Sequence, residues 1–314
     1  MKDLLRTQDL SRDDVELLLE TAAAFAEDPL RSKSALANKS VAIYMTKPST
    51  RTRLSSETAV AHLGGTPIFI RGDELQLGRG ETIEDTAKII SGYCSALIIR
   101  TFAQSDVDQL GAFSSIPVIN ALTDVDHPTQ LLADWLTIRE NFGTDIAGRK
   151  FVYLGDGNNM SHAWLIMGAI MGAHVVAATP SGKWAPDPVV VAVAKNIAAN
   201  SGGKVEVTND PEAAAKDASV LYTDVWMSMG DSESDRKEKV QALSPFAVTE
   251  QLMKLASKDS LFMHCLPAHR GEEVEANVID GPRSVIWREA YHRRTTIQAI
   301  LYHLVRGDLK GYTH

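Results

Sequence analysis

The chain has 314 residues, 44% of them apolar, and a formal net charge of −8. That length supports two domain-sized cores, the acidic balance argues against nonspecific nucleic-acid binding, which needs a basic face, and no apolar run approaches the roughly 20 residues that span a bilayer. With no basic segment leading into an apolar one at the N-terminus and only two cysteines, Cys94 and Cys265, a soluble protein of a reducing cytoplasm is expected, without structural disulfides or a membrane partner.

In chain order, Arg12 to Ala26 carries Val15, Leu18, Leu19 and Ala22 at helical spacing. Short strand-like runs follow at Val41 to Met45, Thr66 to Ile70, Ala96 to Arg100 and Ile116 to Asn120. Helical patterns near Thr50 to Leu63, Thr82 to Tyr93 and Val107 to Phe113 separate them. Strand and helix in alternation predict a parallel α/β sheet. A longer helix, Thr129 to Asn141, stops at Gly143, and a second alternating series starts at Lys150. Its strands are expected at Phe151 to Gly155, His174 to Ala178, Lys204 to Thr208, Ser219 to Thr223, Leu261 to His264 and Val285 to Trp287. Gly230 to Lys239, rich in Ser, Asp and Glu, reads as a flexible polar loop, and Thr295 to Val305 as a last helix. The expected fold class is α/β, with two open parallel-sheet domains. A first domain over residues 1–145 is joined by the C-terminal segment 291–314, and a second covers 146–290.

Four motifs carry chemistry. Lys47-Pro48-Ser49-Thr50-Arg51-Thr52-Arg53 follows the first strand and opens a helix. A helix N-terminus presents unpaired N–H groups and a positive dipole end, the hydroxyls add donors, and a guanidinium fork matches phosphate oxygens. His127-Pro128-Thr129-Gln130 also lies between a strand and a helix, where His127 and Gln130 share a face and a donor imidazole can polarise a carbonyl oxygen. His264-Cys265-Leu266-Pro267 ends a strand of the second series, at the edge where open α/β sheets collect ligands. One Cys and two nearby His make a poor zinc pattern, so no metal is expected there. Asp224 to Gly230 ends another strand, and Asp224 offers a carboxylate to an amino group. Asn158 and Asn159 follow Gly155-Asp156-Gly157, a turn that imitates a dinucleotide fingerprint but has Met160 where the third glycine belongs.

With these motifs in this order, the chain resembles the aspartate/ornithine carbamoyltransferases along nearly its whole length, and most closely the ornithine branch. The resemblance implies transfer of the carbamoyl group of carbamoyl phosphate to the side-chain amine of L-ornithine, giving L-citrulline, in a homotrimer with shared sites. It implies that Ser49, Thr50, Arg51 and Thr52 hold the phosphate. Arg100, His127, Pro128, Thr129 and Gln130 hold the carbamoyl end, and Arg293 completes the anion site, an assignment over Arg294 that depends on register because Tyr291-His292 stands where the family usually reads Glu-Asn. Gln76 matches the residue that reaches a neighbouring subunit's site. Asn159, Asp224, Ser228 and Met229 match the positions that hold ornithine, with Cys265 and Leu266 beside the reacting groups. Arg51, Arg100, His127 and Cys265 are the implied catalytic residues.

Carbamoyl phosphate brings its own leaving group, so the chemistry needs alignment and charge stabilisation rather than a covalent nucleophile, metal or organic cofactor. The rival readings are a carbamoyltransferase for putrescine or an acylated ornithine, and a noncatalytic paralogue. Asp224 favours free ornithine, because it supplies a partner for an α-ammonium. Retention of Arg51, Arg100, His127 and Cys265 together favours catalysis.

Overall fold

A computed structural model describes residues 1–75, 80–146, 148–227 and 233–311. Contacts divide the chain into two compact units, Met1–Leu136 with Tyr291–His314, and Thr137–Ala290. The division falls inside a helix at Leu136, where the sequence reading placed it near residue 145. The C-terminal segment expected to rejoin the first domain belongs to unit 1.

Unit 1 starts with a 3-10 turn, Thr7–Asp9, and helix α1, Arg12–Glu27, capped by Ser11. Strands β1 (Ser40–Met45), β2 (Thr66–Arg71), β3 (Ala96–Arg100) and β4 (Val118–Leu122) alternate with α2 (Thr50–His62), α3 (Ile83–Tyr93) and α4 (Gln104–Phe113). All pair in parallel, in the order β2-β1-β3-β4. Both faces of β3 are buried, as its uninterrupted apolar run Ala-Leu-Ile-Ile requires of a strand covered by helices on each side. Strand β4 begins two residues later than expected, after Pro117, which has no N–H for a ladder. The order reverses at β1, so β2 lies on one side and β3 on the other. Met45 and Arg100 are therefore register partners at the carboxyl edge, the topological switch where such sheets bind ligands.

Helix α5, Pro128–Phe142, carries the chain into unit 2. There β5 (Lys150–Leu154), β6 (His174–Ala178), β7 (Lys204–Thr208), β8 (Val220–Thr223) and β9 (Leu261–His264) form a parallel sheet in the order β7-β6-β5-β8-β9. Helices α6 (Asn159–Ile170), α7 (Pro188–Ser201), α8 (Pro211–Ala215), α9 (Glu233–Leu243), α10 (Glu250–Leu255) and α11 (Ala276–Ile279) complete it. The reversal is at β5, where Leu154 pairs with Thr223, and Thr223 with His264. The residues that follow these three strand ends are Gly155, Asp224 and Cys265.

Two expectations are corrected. Val285 to Trp287 is not a strand: α12 runs from Ile286 to Arg306, and the segment touches the sheet only through a bridge from Ser284 to Phe262. A long helix extends at little cost once nucleated, and that outweighs three strand-forming residues. The polar stretch read as a loop is largely helix α9 from Glu233 onward. Its Glu, Arg and Lys residues are good helix formers, and Lys239 anchors it in a buried ion pair with Asp156 (2.8 Å).

Candidate active site

In unit 1 the loop after β1 delivers the first motif to the N-terminus of α2. Ser49 is the N-cap: its Oγ accepts from Thr52 N (3.2 Å) and donates to Thr52 Oγ1 (3.1 Å). Thr50 is exposed, Arg51 half-buried and Thr52 fully buried. Arg53 turns away, bonded to Glu57 (3.1 Å) and lying 3.8 Å over the Phe69 ring. Lys47 is buried against Asp124, with its ammonium 4.1 Å over Phe102, so this cation ties the β1 loop to the β4 loop. A cavity of about 760 Å³ opens against the same loop, lined by Lys47, Ser49, Thr50, Arg53 and Arg71.

The second motif meets the first through α12. Arg293 Nη1 donates to Gln130 Oε1 (2.6 Å), and its Nη2 approaches Thr52 Oγ1 (3.4 Å) and Thr129 Oγ1 (3.5 Å). Gln130 in turn donates to Asp134 Oδ1 (2.8 Å), which sets which end of its amide faces Arg293. Arg294, one residue on, points elsewhere, to Tyr291 (2.7 Å), Gln298 (2.9 Å) and His62 (3.2 Å). Of the two arginines, it is Arg293 that reaches Gln130, Thr52 and Thr129. Arg100 is buried at the end of β3, where its carbonyl accepts from Thr46 N (3.0 Å).

His127, 4% exposed, precedes α5, and Pro128 opens the helix where a missing N–H costs nothing. Burial holds its pKa well below the ordinary imidazole value, and the positive charges of Arg293, Arg100 and Arg51 push the same way. The ring is therefore neutral at physiological pH. Its Nδ1 lies 3.3 Å from Thr129 Oγ1. With Nδ1 accepting from the Thr129 hydroxyl, the single proton of the neutral ring would sit on Nε2, the donor form a carbonyl oxygen requires.

In unit 2 the turn after β5 needs Gly157, since a Cβ there would lie 2.2 Å from the Ala185 carbonyl carbon. Asn158 caps α6 by accepting from Met160 N (2.9 Å) and Ser161 N (3.2 Å), while its Nδ2 donates to Asp224 Oδ2 (3.3 Å). Tyr153 donates to the same Asn158 oxygen (3.3 Å). Burial, then the nearby Asp224, Asp156 and Cys265, keep that phenol protonated well above its usual range. Asp224 also accepts from Val225 N (2.7 Å) and from the Cys265 thiol (3.0 Å). Asn159 is half-buried at the first position of α6, and Cys265 and Leu266 are half-buried after β9. Gln76, Ser228 and Met229 lie outside the described residues.

Among the described residues, Asp224, His264 and Cys265 bring metal-type ligand atoms within 4.8 Å of one another. They do not suit an ion. His264 Nδ1 accepts from Leu266 N (2.8 Å), so its Nε2 carries the proton and faces Glu273 (3.3 Å), leaving no ring lone pair. A second cluster, His269, Glu272 and Glu273, is occupied by Arg236 on Glu272 (2.5 Å) and by the His269 N–H on Glu273 (2.5 Å). Sequence reasoning missed Asp126, Tyr153 and Glu289, the last accepting from His264 N (3.0 Å). Asp126 and Glu289 bond backbone N–H groups, and Tyr153 bonds the Asn158 side chain five residues on, contacts that no helix or strand period marks.

Two parallel α/β units, one gathering arginines and hydroxyls at a helix N-terminus, are what the comparisons find in a family of transferases. Residues 2–140 match the family described as "Aspartate/ornithine carbamoyltransferase, carbamoyl-P binding domain", and residues 147–304 its "Asp/Orn binding domain". The ornithine carbamoyltransferase of Pyrococcus horikoshii is 47% identical over 99% of this chain and 98% of its own length. That of Anoxybacillus flavithermus is 46% identical over 97% and 96%. The solved structure of the Pyrococcus furiosus ornithine carbamoyltransferase superposes with a TM-score of 0.92 at 46% identity, covering 98% of each chain. That of Giardia lamblia superposes at 0.90 and 32% identity, covering 98% and 99%. The chain belongs to the aspartate/ornithine carbamoyltransferase family, among the ornithine carbamoyltransferases. Among its described residues no helix is long and apolar enough to cross a membrane.

Proposed function

We propose that unit 1 of this chain binds carbamoyl phosphate and unit 2 binds L-ornithine, and that the pair react to citrulline and phosphate. What carries the reading is the neutral, buried His127 among Arg51, Arg100 and Arg293 beside the capped N-terminus of α2. Arg51 and the hydroxyls of Ser49, Thr50 and Thr52 take the phosphate oxygens. His127 Nε2–H and Arg100 donate to the carbonyl oxygen, with Gln130 held by Arg293 at the carbamoyl end and Pro128 and Thr129 shaping that end. Asp224 faces the α-ammonium of ornithine, Asn159, Ser228 and Met229 hold its amino-acid end, and Cys265 with Leu266 flank the reacting amine.

The ornithine side-chain amine, with a pKa of about 10.4, must first lose a proton. Its lone pair then adds to the carbonyl carbon, and negative charge gathers on an oxygen facing preset donors. The carbon–oxygen bond to phosphate breaks, phosphate leaves with the electron pair, and the nitrogen gives up its second proton. No covalent enzyme intermediate is required. The proposed direction is synthesis, as named for the anabolic Pyrococcus furiosus relative.

The unit we propose as active is a homotrimer, with Gln76 entering a neighbour's site. Both cysteines are free, which fits the reducing cytoplasm proposed as its location. The direct test is citrulline formation with ornithine, putrescine and acetylornithine side by side. Turnover confined to ornithine supports the reading; preference for putrescine or the acylated amine overturns the substrate, and no turnover with any amine overturns the activity.

A further inference from the structure

The carbonyl of His127 is held by helix α5, accepting from Gln130 N (3.0 Å) and Leu131 N (3.3 Å), but its N–H side is not. Its N–H precedes the first helical residue, and Pro128 contributes none, so the orientation of the 126–127 peptide must be fixed by something else. That partner is Asp126, 7% exposed. Its Oδ1 accepts from His127 N (2.7 Å) and from Thr7 Oγ1 (2.7 Å), and its Oδ2 accepts from Thr7 N (2.6 Å). Thr123 clamps the backbone on the other side: Asp126 N donates to Thr123 Oγ1 (3.2 Å) and Thr123 N to Asp126 O (2.9 Å).

Thr7 is itself anchored. Leu4 adds to the sheet edge, donating to Val118 O (2.9 Å) and accepting from Asn120 N (2.8 Å). The Leu5 carbonyl accepts from Asn120 Nδ2 (2.9 Å) and Gln104 Nε2 (3.2 Å), and Thr123 Oγ1 donates to Gln104 Oε1 (2.7 Å). A closed circuit of buried bonds thus runs from the N-terminal segment through Asp126 to the backbone of His127.

We infer that Asp126 is a positioning residue for His127: by joining the His127 N–H to the anchored Thr7, it fixes where the imidazole directs its Nε2 proton. The first ten residues then support the carbamoyl half-site although they supply no group to it. An isosteric amide cannot replace the carboxylate, because its NH₂ would face the Thr7 N–H donor to donor, and the peptide must shift. This inference rests on the proposed role of His127 as carbonyl donor.

The test uses the full-length chain with the substitutions Asp126→Asn, Thr7→Val and His127→Ala, and each of the first two combined with His127→Ala. Asp126→Asn should lower kcat about 10- to 100-fold, since displacements of about 1 Å have that effect on an aligned donor. KM for ornithine and inhibition by inorganic phosphate should stay within about twofold. Thr7→Val, which keeps the backbone donor and tests the circuit should Asp126→Asn fold poorly, should lower kcat by roughly two- to fivefold. In the His127→Ala background neither change should cost more than about twofold, because a residue that acts through His127 has nothing left to position. A full further loss in that background overturns the inference, as does parental kcat in both single variants. If His127→Ala itself keeps parental kcat, it is the donor role of His127 that fails.

Discussion

In unit 1 the reversal of strand order gathers guanidinium groups and a buried imidazole; in unit 2 the same reversal gathers a carboxylate, an amide and a thiol. The topological device is shared, and the charge is opposite. The proposed anion half-site is cross-linked over long sequence distance, Arg293 to Gln130 and Thr52, which suits stabilisation of charge that develops during reaction. The other half-site consists of side chains at three neighbouring strand ends, with Asp224 receiving bonds from Asn158, Val225 and Cys265. On the proposed reading that arrangement offers a carboxylate to the ammonium of ornithine and suits ground-state binding more than charge stabilisation. Substitutions in the two should therefore separate in kinetics.

The largest effect is expected from Arg51→Ala. It removes a charged fork from the leaving group and should lower kcat/KM by about 2–4 kcal/mol or more in transition-state terms, measured by steady-state citrulline formation. Parental kinetics would remove Arg51 from the site. Next comes Asp224→Asn, which should raise KM for ornithine by about 10- to 100-fold while calorimetric affinity for carbamoyl phosphate alone stays near the parental value. Equal losses for both ligands would erase the distinction between the half-sites.

Stability offers a smaller contrast. Burial raises the Asp126 carboxyl to about 6 in the fold from an ordinary 3.8, opposed by its bonds from Thr7 and His127. The sign follows from proton uptake: between these values the folded chain binds the proton that the unfolded chain has released. The group's favourable contribution is thus complete below about 3.8, is lost as pH rises towards 6, and is absent above. Denaturant unfolding of Asp126→Asn against the parent from pH 4 to pH 7 should shift in the variant's favour by about 2.4 kcal/mol. A constant difference would mean that the carboxyl titrates normally.

The smallest effect distinguishes adjacent arginines. Arg293→Ala should behave like a lesion of the anion half-site, whereas Arg294→Ala, whose partners are Tyr291, Gln298 and His62, should leave kcat/KM within about threefold and cost at most about 1 kcal/mol of stability. If Arg294→Ala is the more damaging of the two, the register assigned to α12 in the site is wrong.

Much of this was written locally. The alternation of short apolar strands with amphipathic helices determined two parallel sheets, because a strand's two-residue period and a helix's 3.6-residue period are both visible within one segment. Ser49-Thr50-Arg51-Thr52 and His127-Pro128-Thr129-Gln130 announced helix N-termini for the same reason: capping chemistry involves residues within three or four positions of one another. Tertiary structure alone decided what depends on distant partners. It brought Arg293 and not Arg294 to Gln130 and Thr52, since that turns on which face of α12 meets them. It anchored α9 through the Lys239–Asp156 pair, and made Ile286 and Trp287 the first turn of α12 instead of a strand. It set the protonation of His127, because burial and three arginine charges converge there from separate elements. And it joined Asp126 to Thr7 across 119 positions, a contact no periodicity encodes, because a carboxylate buried among backbone donors is defined only once the chain has closed around it.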